Sequence, residues 1–319
     1  MFKYEVVFYE VFDEEQTALK KFLHKMLKAK FFKQTIQESK FAPPLAPVIS
    51  IRTQSRIPSG WLGNIKAVLT RSQGYDHLQS IKDQVACGYL ANYSARAVAE
   101  HAIMTMMVLQ RRLKRQIIHF KKFNRDSLTG SECKDKNALI LGVGAIGSEI
   151  VRLARALKMN VHGVDLVQKD KKLKYVSLKE GVMWADVIFC ALPLTTKTNR
   201  LLNYTLLKRV NHGTILINIS RGEISPLPDV KRLLDQDILG GLSLDVYPQE
   251  SFLAAYLRGA KTKISADIKI VLNLKDRDNV LFTPHNAFNT QEALKQKAFL
   301  SVEAVKQFLK NKKFPHIVS

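Results

Sequence analysis

Two kinds of apolar pattern alternate along the chain. Residues 138–141 and 161–164 have strand character, and short apolar runs at 187–192, 214–219, 241–246 and 280–283 are each bounded by turn-forming residues. Continuous apolarity over so few positions suits strands buried on both faces of a sheet. Between them lie stretches whose apolar residues recur at helical spacing, such as Ile150, Val151, Leu153, Ala154 and Leu157. Strand and helix therefore alternate, which is the pattern of a doubly wound parallel sheet with helices on either side.

The opening of the chain repeats this alternation less regularly. Residues 4–9 read as strand, and 17–32 as a helix with Leu19, Phe22, Leu23, Met26 and Leu27 on one face. Pro43, Pro44 and Pro47 mark a loop before short strands expected at 48–51 and 67–69. A long apolar helical pattern over 97–120 is expected to lead from this first α/β domain into a second. The closing segment, 291–309, is helical again. Because the second domain is complete by Thr283, that helix is expected to return to the first. The expected domains are 1–100 with 286–319, discontinuous, and an inserted domain of 101–285.

One junction of strand and helix carries chemistry. The run 138–141 leads directly into Gly142, Gly144 and Gly147 at G-x-G-x-x-G spacing, a helix pattern follows, and a second strand ends at Asp165. In such a unit the first glycine makes the tight turn, the second lets backbone approach a pyrophosphate, and the third lets the helix pack close to the sheet. The helix N-terminus adds free N–H groups and partial positive charge. Asp165 stands where a ribose 2′-hydroxyl would lie. Three glycines alone also punctuate ordinary turns, but the complete strand, turn, helix and strand with a terminal Asp predicts a dinucleotide site, with NAD favoured.

Composition narrows the class. The chain has 319 residues, 46% of them apolar, enough for about two domains with real cores. No apolar run approaches the roughly 18 residues of a membrane span, and the first residues lack the layout of a signal peptide, so a cytoplasmic protein is expected. Cys87, Cys133 and Cys190 are widely spaced, with neither metal-ligand spacing nor a disulfide framework around them, so no metal is expected. The net charge of +22 raises nucleic-acid binding. Its densest groups, 111–115 and 169–174, are not interleaved with aromatics, and the charge is read as mainly solvated surface.

Ligands of open α/β sheets bind at the carboxyl ends of the strands. Arg221, Glu250 and His285 each stand just beyond such an end. An arginine fork grips a carboxylate, a histidine exchanges a proton near neutrality, and a neighbouring carboxylate holds the imidazolium form. Singly, Arg221 reads as a surface ion pair, Glu250 as a solvated loop residue and His285 as a cap after Pro284. Their joint placement outweighs those readings and suits a 2-keto acid and hydride chemistry.

The segments GVGAIG, INISRGE, GLSLDVYPQE and TPHNAF, with YSARAVAEH before them, resemble in order the motifs of the NAD-dependent D-isomer-specific 2-hydroxyacid dehydrogenases, from about Thr70 onward. TPHNAFNT and the long stretch between Glu250 and His285 resemble the D-lactate dehydrogenase branch more than the phosphoglycerate branch. The resemblance implies an α/β fold of two Rossmann-like or flavodoxin-like domains on parallel sheets, with an active-site cleft between them, a homodimer, and NAD as cofactor. It implies that Arg221 binds the substrate carboxylate and polarises the keto oxygen, that His285 gives or takes the proton, and that Glu250 raises the proton affinity of the histidine. The cofactor-binding set is expected to be Gly142, Gly144, Ala145, Ile146, Gly147, Asp165, Leu192, Pro193, Ser220 and Asp245, the last at the nicotinamide amide. Backbone near Gln73 and Gly74 matches the loop that grips the carboxylate, and Tyr93 and Phe288 match pocket-lining positions.

Departures are localised. Pro226 and Pro228 follow Arg221-Gly222 where an acidic and alanine-leucine helix start is usual, so the next helix is expected to begin differently. The segment 251–279 has no clear match, and the first forty residues match only in general pattern. Lys169, Lys171 and Lys172 leave NADP open, although Asp165 would repel its phosphate. The competing functions are an NAD(H)-sensing protein of the corepressor kind on the same fold, discriminated by turnover, and direct nucleic-acid binding, which ranks last.

Overall fold

The computed structural model describes residues 2–23, 27–39, 43–260 and 264–319. The chain begins β1 (Val6–Phe8), α1 (Asp13–Leu23), β2 (Ala29–Phe31), α2 (Ile36–Ser39), β3 (Val48–Ile51), β4 (Ala67–Thr70) and β5 (Ala86–Tyr89). It continues through α3 (Ala95–Gln110), α4 (Leu113–His119), β6 (Asn137–Leu141), α5 (Ala145–Ala156), β7 (Asn160–Val164), β8 (Lys174–Tyr175), α6 (Leu178–Trp184), β9 (Val187–Cys190), α7 (Tyr204–Leu207) and β10 (Thr214–Asn218). The last elements are α8 (Leu227–Asp235), β11 (Leu239–Leu244), α9 (Glu250–Leu257), α10 (Ala266–Leu274), β12 (Val280–Phe282) and α11 (Gln291–Asn311). They form two compact units, Met1–Ser94 with Asn289–Ser319, and Ala95–Phe288.

The first unit holds a five-stranded parallel sheet in the order β2-β1-β3-β4-β5, the flavodoxin-like order. Its inner strands are short and wholly buried, as unbroken apolar runs require. One face packs Val6, Phe8, Val48 and Leu69 against Leu19 and Leu23 of α1 and Val302 and Val305 of α11. The other packs Val7, Ile49, Ile51 and Val68 against Trp61 and Leu78. The C-terminal tail covers the sheet edge, Val318 N–H donating to Cys87 O and Tyr89 N–H to His316 O.

The second unit holds a seven-stranded parallel sheet in the order β12-β11-β10-β9-β6-β7-β8. The winding direction reverses between β6 and β9, and an open α/β sheet presents its ligand crevice at the carboxyl ends of two such strands. Both sheets are Rossmann-like in construction. Among the described residues no helix is long and apolar enough to cross a membrane.

Several elements differ from the expectation. The helix expected over 17–32 ends at Leu23, and Ala29–Phe31 is instead the edge strand β2, because its three residues pair with Val6, Val7 and Phe8 of β1 rather than lining a helical face. Met26 lies outside the described residues. The pattern over 97–120 is two helices, broken at Arg112, whose φ of 51° is left-handed. The edge strand β8 and the strand β5 were not foreseen. Pro226 and Pro228 do shape the next helix: Pro226 is the N-cap of α8 and a proline occupies its first turn, where a missing N–H costs nothing. The unmatched segment after Glu250 contains α9 and α10, with 261–263 outside the described residues.

Candidate active site

The cradle at the reversal point is built from glycine geometry. Gly142 has φ +86°, a left-handed conformation, and a methyl there would lie 2.8 Å from Ala191 O. The turn thus abuts the end of β9, immediately before Leu192 and Pro193. Gly144 is the N-cap of α5, and a methyl built on it meets nothing within 4 Å, so its backbone faces open space. Gly147 is closed in the opposite sense: a methyl would strike the Gly142 carbonyl and lie 3.2 Å from Ile140 Cγ2. Ala145 and Ile146 form the first turn of α5. Asp165 stands across the turn, its carboxylate accepting from Val143 N–H at 2.6 Å and Val167 N–H at 2.9 Å. Each carboxylate oxygen has two acceptor positions, so capacity for ribose hydroxyls remains. A tight turn, an open approach and a helix N-terminus together fit a dinucleotide pyrophosphate.

Arg221, Glu250 and His285 follow three adjacent strands, β10, β11 and β12. The loop that carries Arg221 is pinned from within by Asn218, a buried polar residue at the end of an apolar strand. Its amide donates to Arg221 O at 3.0 Å and Ser225 Oγ at 2.8 Å, and its carbonyl accepts from Ser220 N–H at 3.0 Å. Ser220 Oγ donates to Leu192 O, which ties this loop to the end of β9. Gly222 packs directly on the Tyr247–Pro248 backbone, where a methyl would lie 2.6 Å from Pro248 Cδ. This close approach fixes the Arg221 loop against the segment that leads to Glu250. Arg221 Nη1 donates to Ser220 O at 2.8 Å.

Glu250 is the first residue of α9, reached through Gln249 in a left-handed conformation with φ 51°. His285 has the same φ, 51°. Non-glycine residues held there are strained, and such strain collects at functional sites. The two side chains meet: His285 Nδ1 lies 2.7 Å from Glu250 Oε2 and 2.9 Å from Oε1, with each side chain about one-fifth exposed (21% and 19%). An imidazole held through Nδ1 presents Nε2 as its second ring nitrogen.

Asp245, expected at a nicotinamide amide, has a bracing task in the structure. It is 1% exposed, and its carboxylate accepts from Thr283 Oγ1 at 2.6 Å, Asn286 N–H at 2.8 Å and Ala287 N–H at 2.9 Å. These donors flank His285. His101 joins from α3, Nε2 lying 3.2 Å from Thr283 Oγ1; burial pushes the imidazole toward its neutral form, and the charge of Asp245 opposes that. Tyr247 donates to Leu244 O at 3.1 Å and Thr283 O at 2.9 Å. Burial, then the charges of Asp245 and Glu250, hold its phenol well above the usual range, so it stays a neutral donor. Sequence reasoning missed Asn218, His101, Thr283 and Tyr247 as supports. For Asn218 and Thr283 the available signal was a polar residue at the end of an apolar strand run.

Gln73, Gly74 and Tyr93 belong to the first unit, and Phe288 ends the second. Gln73 and Gly74 lie in the turn after β4, where Ser72 Oγ donates to Gly74 O at 2.7 Å. Tyr93 OH donates to Arg71 O at 3.3 Å.

Comparison with known proteins agrees with this architecture. The family model for the NAD binding domain of D-isomer specific 2-hydroxyacid dehydrogenases matches residues 103–287. The chain is 33% identical over 208 residues to a D-lactate dehydrogenase of Escherichia coli K12, covering 63% of this chain and 62% of that protein. It is 27% identical over 301 residues to a 2-hydroxyacid dehydrogenase homolog of Zymomonas mobilis, covering 91% and 90%. The crystal structure of a D-lactate dehydrogenase from Aquifex aeolicus, complexed with NAD and lactic acid, superposes with a TM-score of 0.87 at 29% identity, covering 98% of this chain and 99% of that one. With a family model that spans more than half of its length, the chain belongs to the NAD-dependent D-isomer specific 2-hydroxyacid dehydrogenases.

Proposed function

We propose that the protein interconverts a 2-keto acid and a D-2-hydroxy acid, with Arg221 binding the substrate carboxylate and His285, backed by Glu250, moving the proton. The observation that carries this reading is the 2.7 Å contact between His285 Nδ1 and Glu250 Oε2 at the carboxyl ends of adjacent strands. With Nδ1 committed to the carboxylate, Nε2–H is the group that donates to the keto oxygen in reduction. In the reverse direction Nε2 accepts the hydroxyl proton. Glu250 holds the ring through Nδ1 in both directions, which fixes where Nε2 points. The nicotinamide ring, when bound, supplies or takes the hydride.

Arg221 suits the anchor because its planar fork matches a carboxylate and has donors left for the keto oxygen. Gln73, Gly74, Tyr93 and Phe288 are assigned to the substrate side. Leu192, Pro193 and Ser220 are assigned to the cofactor side, next to the Gly142 turn. Asp245 is assigned to holding the His285 turn, and any contact with the nicotinamide amide is secondary to that.

The test is a pair of variants in the full chain. His285→Ala should lose most turnover at every pH while it still binds NADH. Glu250→Gln should lose roughly tenfold to a hundredfold in kcat/KM while NADH is still bound, since a neutral amide replaces a charge-assisted hydrogen bond at Nδ1. Wild-type turnover in Glu250→Gln would reduce Glu250 to a helix-start carboxylate, and a fully active alanine variant would remove His285 from the reaction.

The protein is further proposed to be a homodimer. Helix α4 has no buried residue, and Ile117, Ile118, Phe120 and Phe123 on it and just beyond it are 56–75% exposed. An apolar segment of that kind is expected to be covered by a partner, here a second copy. Sedimentation should give a dimer for the wild type and a monomer for Phe120→Lys/Phe123→Lys; a monomeric wild type would contradict it.

A further inference from the structure

In the first unit three charged side chains with no exposed surface meet at the carboxyl end of the sheet: Glu15 from α1, Arg71 directly after β4, and Lys297 from α11. Glu15 Oε1 accepts from Arg71 Nε at 3.0 Å and lies 2.7 Å from Lys297 Nζ. Among the described residues its second oxygen, Oε2, has no hydrogen-bond partner. The other guanidinium nitrogens of Arg71 go elsewhere, Nη1 to Ser50 Oγ at 3.1 Å and Nη2 to Tyr9 O at 2.6 Å. Buried charge is expensive even when paired. Lys297 occupies a position in the stripe Ala293, Leu294, Ala298, Val302 and Val305 where an apolar residue would avoid that cost.

The main chain of Arg71 is the root of the turn that holds Gln73 and Gly74. Arg71 N–H donates to Ile51 O at 2.7 Å, and Arg71 O accepts from Tyr93 OH. Beyond it the hydroxyls of Thr70 and Ser72 lie 2.6 Å apart, and His77 Nε2 is 3.0 Å from Thr70 Oγ1. Movement of the guanidinium is therefore passed straight to the turn.

We propose that Lys297 is a positioning residue for the keto-acid loop: its ammonium holds Glu15 so that Arg71 gives the carboxylate only Nε and keeps Nη1 and Nη2 on Ser50 and Tyr9. The proposal rests on the reading of Gln73 and Gly74 as substrate-side backbone. Without the ammonium, Glu15 is drawn to the two-pronged pairing that a guanidinium favours, which takes Arg71 off the Tyr9 carbonyl and shifts the turn. Among the described residues, the groups that face Lys297 include Glu15 on α1, Arg71 after β4, Arg52 after β3, and the Phe12 ring, 5.7 Å from its Nζ. Burial pushes the amine down to about 7, Glu15 opposing and the two arginines assisting. In alkaline solution the wild type therefore takes on the geometry of a variant without the charge.

The test compares Lys297→Met with wild type as full-length proteins. Methionine keeps the volume, and the remaining Glu15–Arg71 pair is neutral, so the variant should fold. Expected is a keto-acid KM about fivefold to tenfold higher than wild type near pH 6, the ratio falling to about one near pH 9, with KM for NADH and kcat unchanged. Effects of other titrating groups act in both proteins and cancel in the ratio. Hydrogen exchange of the amides of 71–75 should be faster in the variant near pH 6, and the difference should vanish near pH 9. A KM ratio of one at every pH, or a pH-independent rise accompanied by a lower Tm, overturns the proposal. If the wild type reduces no 2-keto acid, the proposed function fails, and the exchange measurement decides the positioning role by itself.

Discussion

Replacing Asp165 with Asn tests the cofactor side of the site at one carboxylate. The half-buried side chain accepts from Val143 N–H at 2.6 Å with Oδ2 and from Val167 N–H at 2.9 Å with Oδ1. Asparagine keeps one acceptor oxygen for Val143, so the glycine turn survives, but its amide nitrogen meets Val167 as donor against donor. The ribose loses a charge-assisted hydrogen bond. That costs about 1.5–3 kcal/mol, or roughly tenfold to a hundredfold in kcat/KM for NADH. A 2′-phosphate gains in the same exchange. Unit charges about 4 Å apart repel by about 1 kcal/mol in water and about 4 kcal/mol at an effective dielectric of about 20. For a half-buried group the relief lies between these limits, so NADPH use should improve by at least about fivefold, helped by Lys169, Lys171 and Lys172. The assay is steady-state kcat/KM with both cofactors at one keto-acid concentration and low ionic strength. A wild type that prefers NADPH, or an NADH/NADPH ratio that Asp165→Asn leaves unchanged, would refute the assignment.

Arg221→Lys should lose roughly tenfold to a hundredfold in kcat/KM, because an ammonium cannot reproduce a planar fork, with NADH affinity nearly constant; a wild-type rate with the best keto acid would remove Arg221 as the anchor. Gly222→Ala should destabilise by about 1–3 kcal/mol and lower kcat, since the methyl drives the Arg221 loop off Tyr247–Pro248; thermal melts and turnover identical to wild type would show that this close approach is dispensable. The folded-state value of Lys297, about 7 against an ordinary 10.5, is depressed, so between these values the unfolded chain binds more protons and wild-type stability rises with pH. Lys297→Met should therefore melt above wild type near pH 6 and lose that advantage near pH 10; a constant Tm difference across the range would contradict the buried charge.

The sequence made legible what depends on local pattern. The buried strands of both sheets announced themselves as unbroken apolar runs, and Gly142, Gly144 and Gly147 were readable because each meets a distinct steric need. Features set by long-range contacts were not readable. Ala29–Phe31 reads as helix until its pairing with β1 is known. The break at Arg112 and the turns at Gln249 and His285 rest on left-handed backbone at residues that do not advertise it. Arg221, Glu250 and His285 were located by order along the chain, but the hydrogen bonds of Asn218, Asp245 and Tyr247 that hold their loops join residues distant in sequence. Lys297 was invisible for another reason: in a chain with 50 lysines and arginines, one more lysine on a helix reads as solvated surface, and only its complete burial beside Glu15 shows otherwise.

Turnover by this site is measured by NADH oxidation over a panel of 2-keto acids, with chiral analysis of the product and His285→Ala run in parallel. The expected result is consumption of NADH with at least one 2-keto acid, a product of D configuration, and loss of that activity in His285→Ala while NADH is still bound. Binding of NADH without turnover of any member of the panel, or a product of L configuration, would contradict it.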